Sequence, residues 1–374
     1  MIPFNKVYIT GKESIYINET LNNGAISGNG YFTKLCQGFF EAKYGFKKTL
    51  LATSCTDALE MCAILANIKT DDEVIIPSYT FVSTALPFIR QGAKIIFADS
   101  YIDNPNIDVN KIETLITSKT KAIVIVHYAG VSCDMDAIMA LAKKYDLLVI
   151  EDAAQAIDSF YTGKDGVKRP LGSIGHLAAF SFHETKNIVS GEGGMLVINE
   201  EQFINRAEVI WEKGTNRAEF YRGEVNKYGW VDTGSSFLPS EIIAAFLWGQ
   251  LENLDKIQAK RILLWNAYYD ILSKIDLKGI LLPKIPSYAY NNGHMFYIVA
   301  RDIDQRNQLI ATLKENGFHA VFHYLSLHDS SYYRDKHDGR ILENSDKFTN
   351  CLLRLPLFYE LEVSQIQDLV NKCF

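Results

Sequence analysis

The amino-acid sequence predicts an α/β protein: a large domain built on a mostly parallel central sheet, followed by a smaller α+β domain. Three observations carry this reading. Continuous apolar runs such as KIIFAD, AIVIV and LLVIED recur through the first two thirds of the chain. Strands that are apolar at every position, rather than at alternate ones, are covered on both faces, as in parallel sheets. Amphipathic stretches separate these runs, and the pattern changes in the last third.

The strands are expected at Thr49–Ala52, Glu73–Pro77, Lys94–Asp99, Ala122–His127, Leu147–Asp152, Leu177–Phe182 and Met195–Asn199. Helices such as Asp57–Ala66 and Asp134–Lys144 lie between them. A long helical pattern starts near Ser240 and runs through AAFLWGQLENL towards Leu272. After it come a strand from His294 (HMFYIVA), a helix near Gln305–Asn316, a strand-like AVFHY and a closing helix from Ser364. The expected division is 1–248 and 249–374. No Pro/Gly/Ser-rich linker separates the two parts, so they are expected to pack closely.

Composition narrows the class of function. Hydrophobic residues make up 48% and charged residues 22%, ordinary values for a globular chain. The net charge of -6 argues against a general nucleic-acid binder, which needs a basic surface to neutralise phosphates. No apolar run reaches the roughly 18 residues of a membrane span, so no membrane insertion is expected. The first residues show no apolar core behind a basic start, so a cytoplasmic location is expected. The 6 cysteines are scattered and form no C-x-x-C pair, so neither a zinc site nor a disulfide framework is expected.

Open α/β sheets bind ligands beyond the C-terminal ends of their strands. Thr53-Ser54-Cys55-Thr56 follows a strand and opens a helix. It reads either as a simple cap or as a phosphate seat made of free amides. Glu151-Asp152 closes LLVIED, either as solvated acids or as a carboxylate held for a ligand. Lys186 lies just past the strand ending at Ser181-Phe182 and before Gly191-Glu192-Gly193-Gly194. A surface lysine is the plain reading; a lysine held at strand ends can have its pKa lowered and become nucleophilic. Phe81, in PSYTF, is either core or a face for a flat ring. Gly28-Asn29-Gly30 lacks the third glycine of a dinucleotide fingerprint, and GEGG reads as a tight turn. His319, His323, Tyr324 and His328 lack an acidic partner at ligand spacing, so they read as pocket lining rather than a metal site.

Each ending is ambiguous alone, but their order is not. SCT before a helix, then PSYTF, EDAAQA and SFHETKN with GEGG resembles the DegT/DnrJ/EryC1/StrS sugar aminotransferases, a group of fold-type I pyridoxal-phosphate (PLP) enzymes. The resemblance runs from IPFN near the start to RLPLFY near the end. It implies PLP as cofactor, a nucleotide-linked keto-sugar and an amino donor as substrates, and a homodimer with active sites at the subunit interface. Lys186 matches the cofactor-bearing lysine, and Asp152 the carboxylate that pairs with the ring nitrogen. Gln155 matches the residue near the ring's phenolic oxygen, and Phe81 the aromatic on the ring. Cys55, Thr56 and Ser181 match the phosphate cup, while His183, Arg217, His323 and Tyr324 are implied near the substrate. Many members place an asparagine from the neighbouring subunit on the phosphate; here Ser236 stands at that position, within GSSFLPSE.

Within the group, SFHETKN, VHYAGV, KGTNR, GSSFLPSE, HMFYI and AVFHY are similar to the branch that aminates C4 of dTDP-4-dehydro-6-deoxy-D-glucose with L-glutamate. Amination at C3, or with an equatorial amine, stays open. Sugar dehydratases of the same fold carry histidine at the position of Lys186, and a nicotinamide enzyme would need the missing glycine fingerprint. The lysine–aspartate pair argues against a non-catalytic binding protein.

Overall fold

The computed structural model describes residues 1–374. Seven strands form the central sheet: β1 (Lys48–Ala52), β2 (Glu73–Pro77), β3 (Lys94–Ala98), β4 (Thr120–Val126), β5 (Leu148–Asp152), β6 (Leu177–Ser181) and β7 (Gly194–Ile198). Their spatial order is β1-β7-β6-β5-β4-β2-β3. The β2–β3, β2–β4, β4–β5 and β5–β6 pairs are parallel, while β7 runs antiparallel to both β1 and β6. Every predicted strand of the large domain is present, with ends shifted by a residue or two.

The apolar runs explain the layering. Side chains alternate along a strand. Ile123 and Ile125 of β4 therefore enter one core with Ile75, Val149, Ala178 and Val197. Ala122 and Val124 enter the opposite core with Val74, Ile76, Ile150 and Leu196. Fully burying such a branched side chain contributes about 1.5–3 kcal/mol, so both sheet faces have to be covered by helices.

A third core belongs to the C-terminal part. It joins Leu264, Trp265, Tyr268 and Leu272 to Phe296, Ile298, Leu313, Leu353, Leu355, Leu369 and Val370. Strand Phe296–Val299 pairs antiparallel with Leu352–Leu355 beneath helices Ile303–Glu315 and Val363–Cys373. The chain start also reaches this part: Ile2 bridges Phe318, and the Leu357 amide donates to the Phe4 carbonyl. A fourth, smaller core ties the parts together through Tyr79, Tyr128, Met295, Tyr297 and Phe348.

Two expectations fail for local reasons. The single long helix is two, Glu241–Leu251 and Leu254–Leu272. Asn253 breaks it, because its side-chain Nδ2 donates to Gly249 O, the acceptor its own amide would use in a continuous helix. That amide turns to Gln250 O instead. AVFHY is not a strand: only Val321 bridges, to Arg354. Beyond Val321 the chain leaves the sheet, and the Arg354 guanidinium caps the Phe322 carbonyl.

Candidate active site

The C-terminal ends of the parallel strands open on one cavity of about 570 Å³. Cys55, Thr56, Phe81, Asp152, Gln155, Ser181, His183, Lys186, His323 and Tyr324 all line it. These residues come from five separate chain segments, which the fold brings together.

The helix Cys55–Leu65 starts at this cavity. Ser54 caps it by accepting from the Asp57 amide at 3.0 Å. The amides of Cys55 and Thr56 have no partner within the chain, so they point a positive helix end at the cavity. Gly194, at the start of β7, packs so closely that a Cβ there would run into the Ser54 backbone and the Cys55 amide. The GEGG stretch makes the expected turn, with Gly191 at a φ of +81°.

Asp152 ends β5 and is buried. Its Oδ2 accepts from Thr84 Oγ1 at 2.7 Å, and its Oδ1 from the Ala154 amide at 3.2 Å. Burial raises its pKa, against the lowering pull of the Thr84 hydrogen bond and the Lys186 charge. The neighbouring Glu151 points to the other face. There it binds His127 Nε2 at 2.8 Å and the amides of Gly172, Ile174 and Gly175, a structural task.

Lys186 sits in the loop between β6 and β7. The Lys186 amide donates to His183 O, and Phe182 and Gly193 close the loop base. Asn187 anchors the next position, donating to Gln258 Oε1 and Asn292 O and pairing with His294 Nδ1 at 2.8 Å. Burial lowers the pKa of Lys186, which favours the neutral, nucleophilic amine.

Aromatic groups form the remaining wall. Gln155 accepts from the Ala129 amide at 2.6 Å and donates to Tyr324 OH at 2.9 Å. The His323 ring stacks on Tyr324 at 3.5 Å, and its Nδ1 pairs with Tyr128 OH at 2.7 Å. Burial pushes the His323 pKa well below the usual histidine value, which favours the neutral ring. Phe81 leaves 55% of its surface open, with its ring 6.0 Å from Tyr324. His183 bonds Thr185 Oγ1 at 3.0 Å and lies 3.7 Å from Glu192.

Arg217 and Ser236 are not at this cavity. Arg217 is exposed, lies 3.8 Å from Glu212 and stacks on Tyr221. Ser236 is exposed and bridges Glu212 through its backbone. Their segment also exposes Tyr221, Tyr228, Trp230 and Val231.

The donor set fits PLP. A phosphate dianion suits the free helix amides with the Ser181 hydroxyl, a protonated ring nitrogen suits the buried Asp152, and an aldehyde suits the Lys186 amine. Asp152 has no cation bonded to it within the chain, which leaves room for that pairing.

The DegT/DnrJ/EryC1/StrS aminotransferase profile matches residues 8–374. The chain belongs to this family. It is a PLP-dependent sugar aminotransferase with the fold-type I architecture. It is 32% identical over 377 residues to the spore coat polysaccharide biosynthesis protein SpsC of Bacillus subtilis strain 168, covering 97% of this chain and 94% of SpsC. The structure of S. venezuelae DesV in complex with a ketimine intermediate superposes with a TM-score of 0.89 at 27% identity, covering 99% of this chain and 97% of DesV. Spr1654 of Streptococcus pneumoniae in its PLP form shares the fold, with a TM-score of 0.88 at 23% identity over 100% of this chain and 99% of its own. No helix is long and apolar enough to cross a membrane.

Several cavity residues escaped the sequence reading. Phe4, Asn5, Thr80, Ser83, Glu192, Arg261, His294, Met295 and Arg354 also line it. Thr84, which holds Asp152, has no local signature. Arg354 stands in RLPLFY, a stretch that marked the resemblance but had no role assigned.

Proposed function

We propose that the chain transfers the amino group of L-glutamate to C4 of dTDP-4-dehydro-6-deoxy-D-glucose, giving dTDP-4-amino-4,6-dideoxy-D-galactose and 2-oxoglutarate. The observation that carries the reaction is the meeting of Lys186, Asp152 and the Cys55–Thr56 amides on one cavity. The motifs SFHETKN, KGTNR and GSSFLPSE support the choice of sugar. Likeness to a protein named for spore coat polysaccharide biosynthesis supports a role in cell-surface glycan synthesis, such as a common antigen or O-antigen.

When bound, PLP supplies an aldehyde that exchanges amines and a ring that takes up the electron pair released at Cα. The chain supplies the rest. Lys186 Nζ would hold the cofactor through its aldehyde. Once free, the amine would move the proton from the donor's Cα to the cofactor's reacting carbon, and in the second half-reaction would carry that proton back to sugar C4. Its lowered pKa suits both transfers. Asp152 would keep the ring nitrogen protonated. The Cys55 and Thr56 amides and Ser181 Oγ would hold the phosphate. Phe81 would cover one ring face and Gln155 would lie near the ring's phenolic oxygen, while His323 and Tyr324 would border the sugar. Arg217 and Ser236 serve the neighbouring subunit's site in a homodimer, which agrees with their exposure beside Trp230.

The test is incubation with L-glutamate and a panel of dTDP- and UDP-linked keto-sugars, with the product assigned by NMR. The expected product is the dTDP sugar with an axial amine at C4. An amine at C3, an equatorial amine at C4 or preference for a UDP sugar would overturn this choice.

A further inference from the structure

His294 lies just before strand Phe296–Val299, buried but lining the cavity. Its main chain is pinned on both sides. The amide donates to Asn292 Oδ1 at 3.0 Å, and the carbonyl accepts from Arg261 Nη2 at 2.6 Å. Asn292 is held in turn, because its Nδ2 donates to the Gln155 and Ile157 carbonyls at 2.8 and 2.7 Å.

Asn187, the residue after Lys186, sets the tautomer of the ring. Its Nδ2 donates to Gln258 Oε1 at 2.9 Å and to the Asn292 carbonyl at 3.0 Å. A backbone carbonyl only accepts, so this amide cannot be turned round. Asn187 Oδ1 therefore faces His294 Nδ1 at 2.8 Å, and an oxygen there requires a proton on Nδ1. Burial, then the charges of Lys186, Arg261 and Arg354, push the His294 pKa well below the usual histidine value. In the neutral ring Nε2 is a bare acceptor. No group of the chain bonds it, and it is not sealed from the cavity.

Such an acceptor gains a hydrogen bond only from a ligand that donates. The three cations around it disfavour an ammonium and leave a neutral O–H as the suitable donor. Glutamate has no hydroxyl and its carboxylates are ionised, whereas a keto-sugar carries hydroxyls. Lys186 would bring a proton to the sugar's carbonyl carbon, and its charge reaches His294. The hydroxyl that falls to Nε2 is then one next to that carbon.

We infer that His294 Nε2 accepts a hydrogen bond from the sugar hydroxyl adjacent to the reacting ketone, and that Asn187 is a positioning residue that holds the ring in the required tautomer. This rests on the sugar aminotransferase reading but not on which keto-sugar is used. The loop that carries Lys186 thereby also sets the polarity of the wall beside it.

Nitrogen NMR of holoenzyme labelled at histidine, with His294→Phe to assign the signal, reads the tautomer without any sugar. The ring should be neutral with its proton on Nδ1 between about pH 6 and 8. Bleaching of the visible cofactor band by L-glutamate tests the aminotransferase reading by itself. The pyridoxamine-phosphate form is then given dTDP-4-dehydro-6-deoxy-D-glucose or its 3-deoxy analogue. If wild type uses a different keto-sugar, that sugar and its analogue lacking the hydroxyl beside the ketone take their place. Wild type should prefer the hydroxylated sugar by about tenfold or more in kcat/KM, as expected when a desolvated acceptor is left unpaired. In His294→Phe the two sugars should react within about threefold of each other, because no acceptor remains to be paired. Asn187→Ala should also lower the preference, since the ring is then free to carry its proton on either nitrogen. Each preference is a ratio within one enzyme, so general damage to the fold cancels. A proton on Nε2, a wild type without preference, or an undiminished preference in His294→Phe would overturn the inference.

Discussion

Asp152→Asn isolates the charge at the end of β5 from its shape. The carboxylate accepts two hydrogen bonds from the chain, from Thr84 Oγ1 at 2.7 Å and the Ala154 amide at 3.2 Å. An amide can keep both contacts. Its oxygen accepts from Ala154, and its NH2 group donates to Thr84 Oγ1, whose proton turns to Thr80 Oγ1 at 2.8 Å. No buried polar group is orphaned, so folding should change by less than about 1 kcal/mol. Catalysis should respond very differently. Losing one partner of a buried charge pair costs about 2–5 kcal/mol, or roughly 30-fold to several thousand-fold in kcat/KM at 1.4 kcal/mol per factor of ten. The assay is the single-turnover reaction with L-glutamate, together with a thermal melt of the apo-protein. Turnover within threefold of wild type would refute the role of the charge. A large drop in melting temperature would refute the fold-neutral geometry.

Further outcomes follow from the same cavity. Gly194→Ala should weaken cofactor binding at least tenfold and destabilise the fold by about 1–3 kcal/mol, because the added methyl pushes on the helix end that offers the Cys55 amide; equilibrium titration with PLP checks it. Lys186→Met should raise the melting temperature of the apo-protein by about 1–3 °C near pH 7 by removing a buried amine. The folded-state pKa of Lys186 lies below its ordinary value of 10.5, so the unfolded chain binds the extra proton and stability is lost as pH falls through that window. The gap between variant and wild type should therefore close as pH rises towards 10.5; melts across pH that show a constant or widening gap would contradict the burial argument.

The sheet was legible because both-face burial leaves an uninterrupted apolar signature, as in AIVIV, where alternate residues feed opposite cores. Lys186, Asp152 and the SCT turn were legible because strand ends are where this architecture puts ligands, and the order of the motifs resolved what each left ambiguous. What stayed hidden is non-local. Asn253 looks helical until its side chain is seen to take Gly249 O. AVFHY has strand composition, yet only Val321 finds a backbone partner. Thr84 and Arg354 owe their places to contacts across 68 and 32 residues, which no short window of sequence displays. Phe4 reaches the cavity because the chain start is tied to Leu357.

The claim that organises all of this is that Lys186 carries the cofactor. Reducing the holoenzyme with borohydride, digesting it and mapping the phosphopyridoxyl mass locates the attachment directly. The modification should fall on Lys186 alone, and prior conversion with L-glutamate should abolish it. A phosphopyridoxyl group on any other lysine, or none on Lys186, would contradict the account.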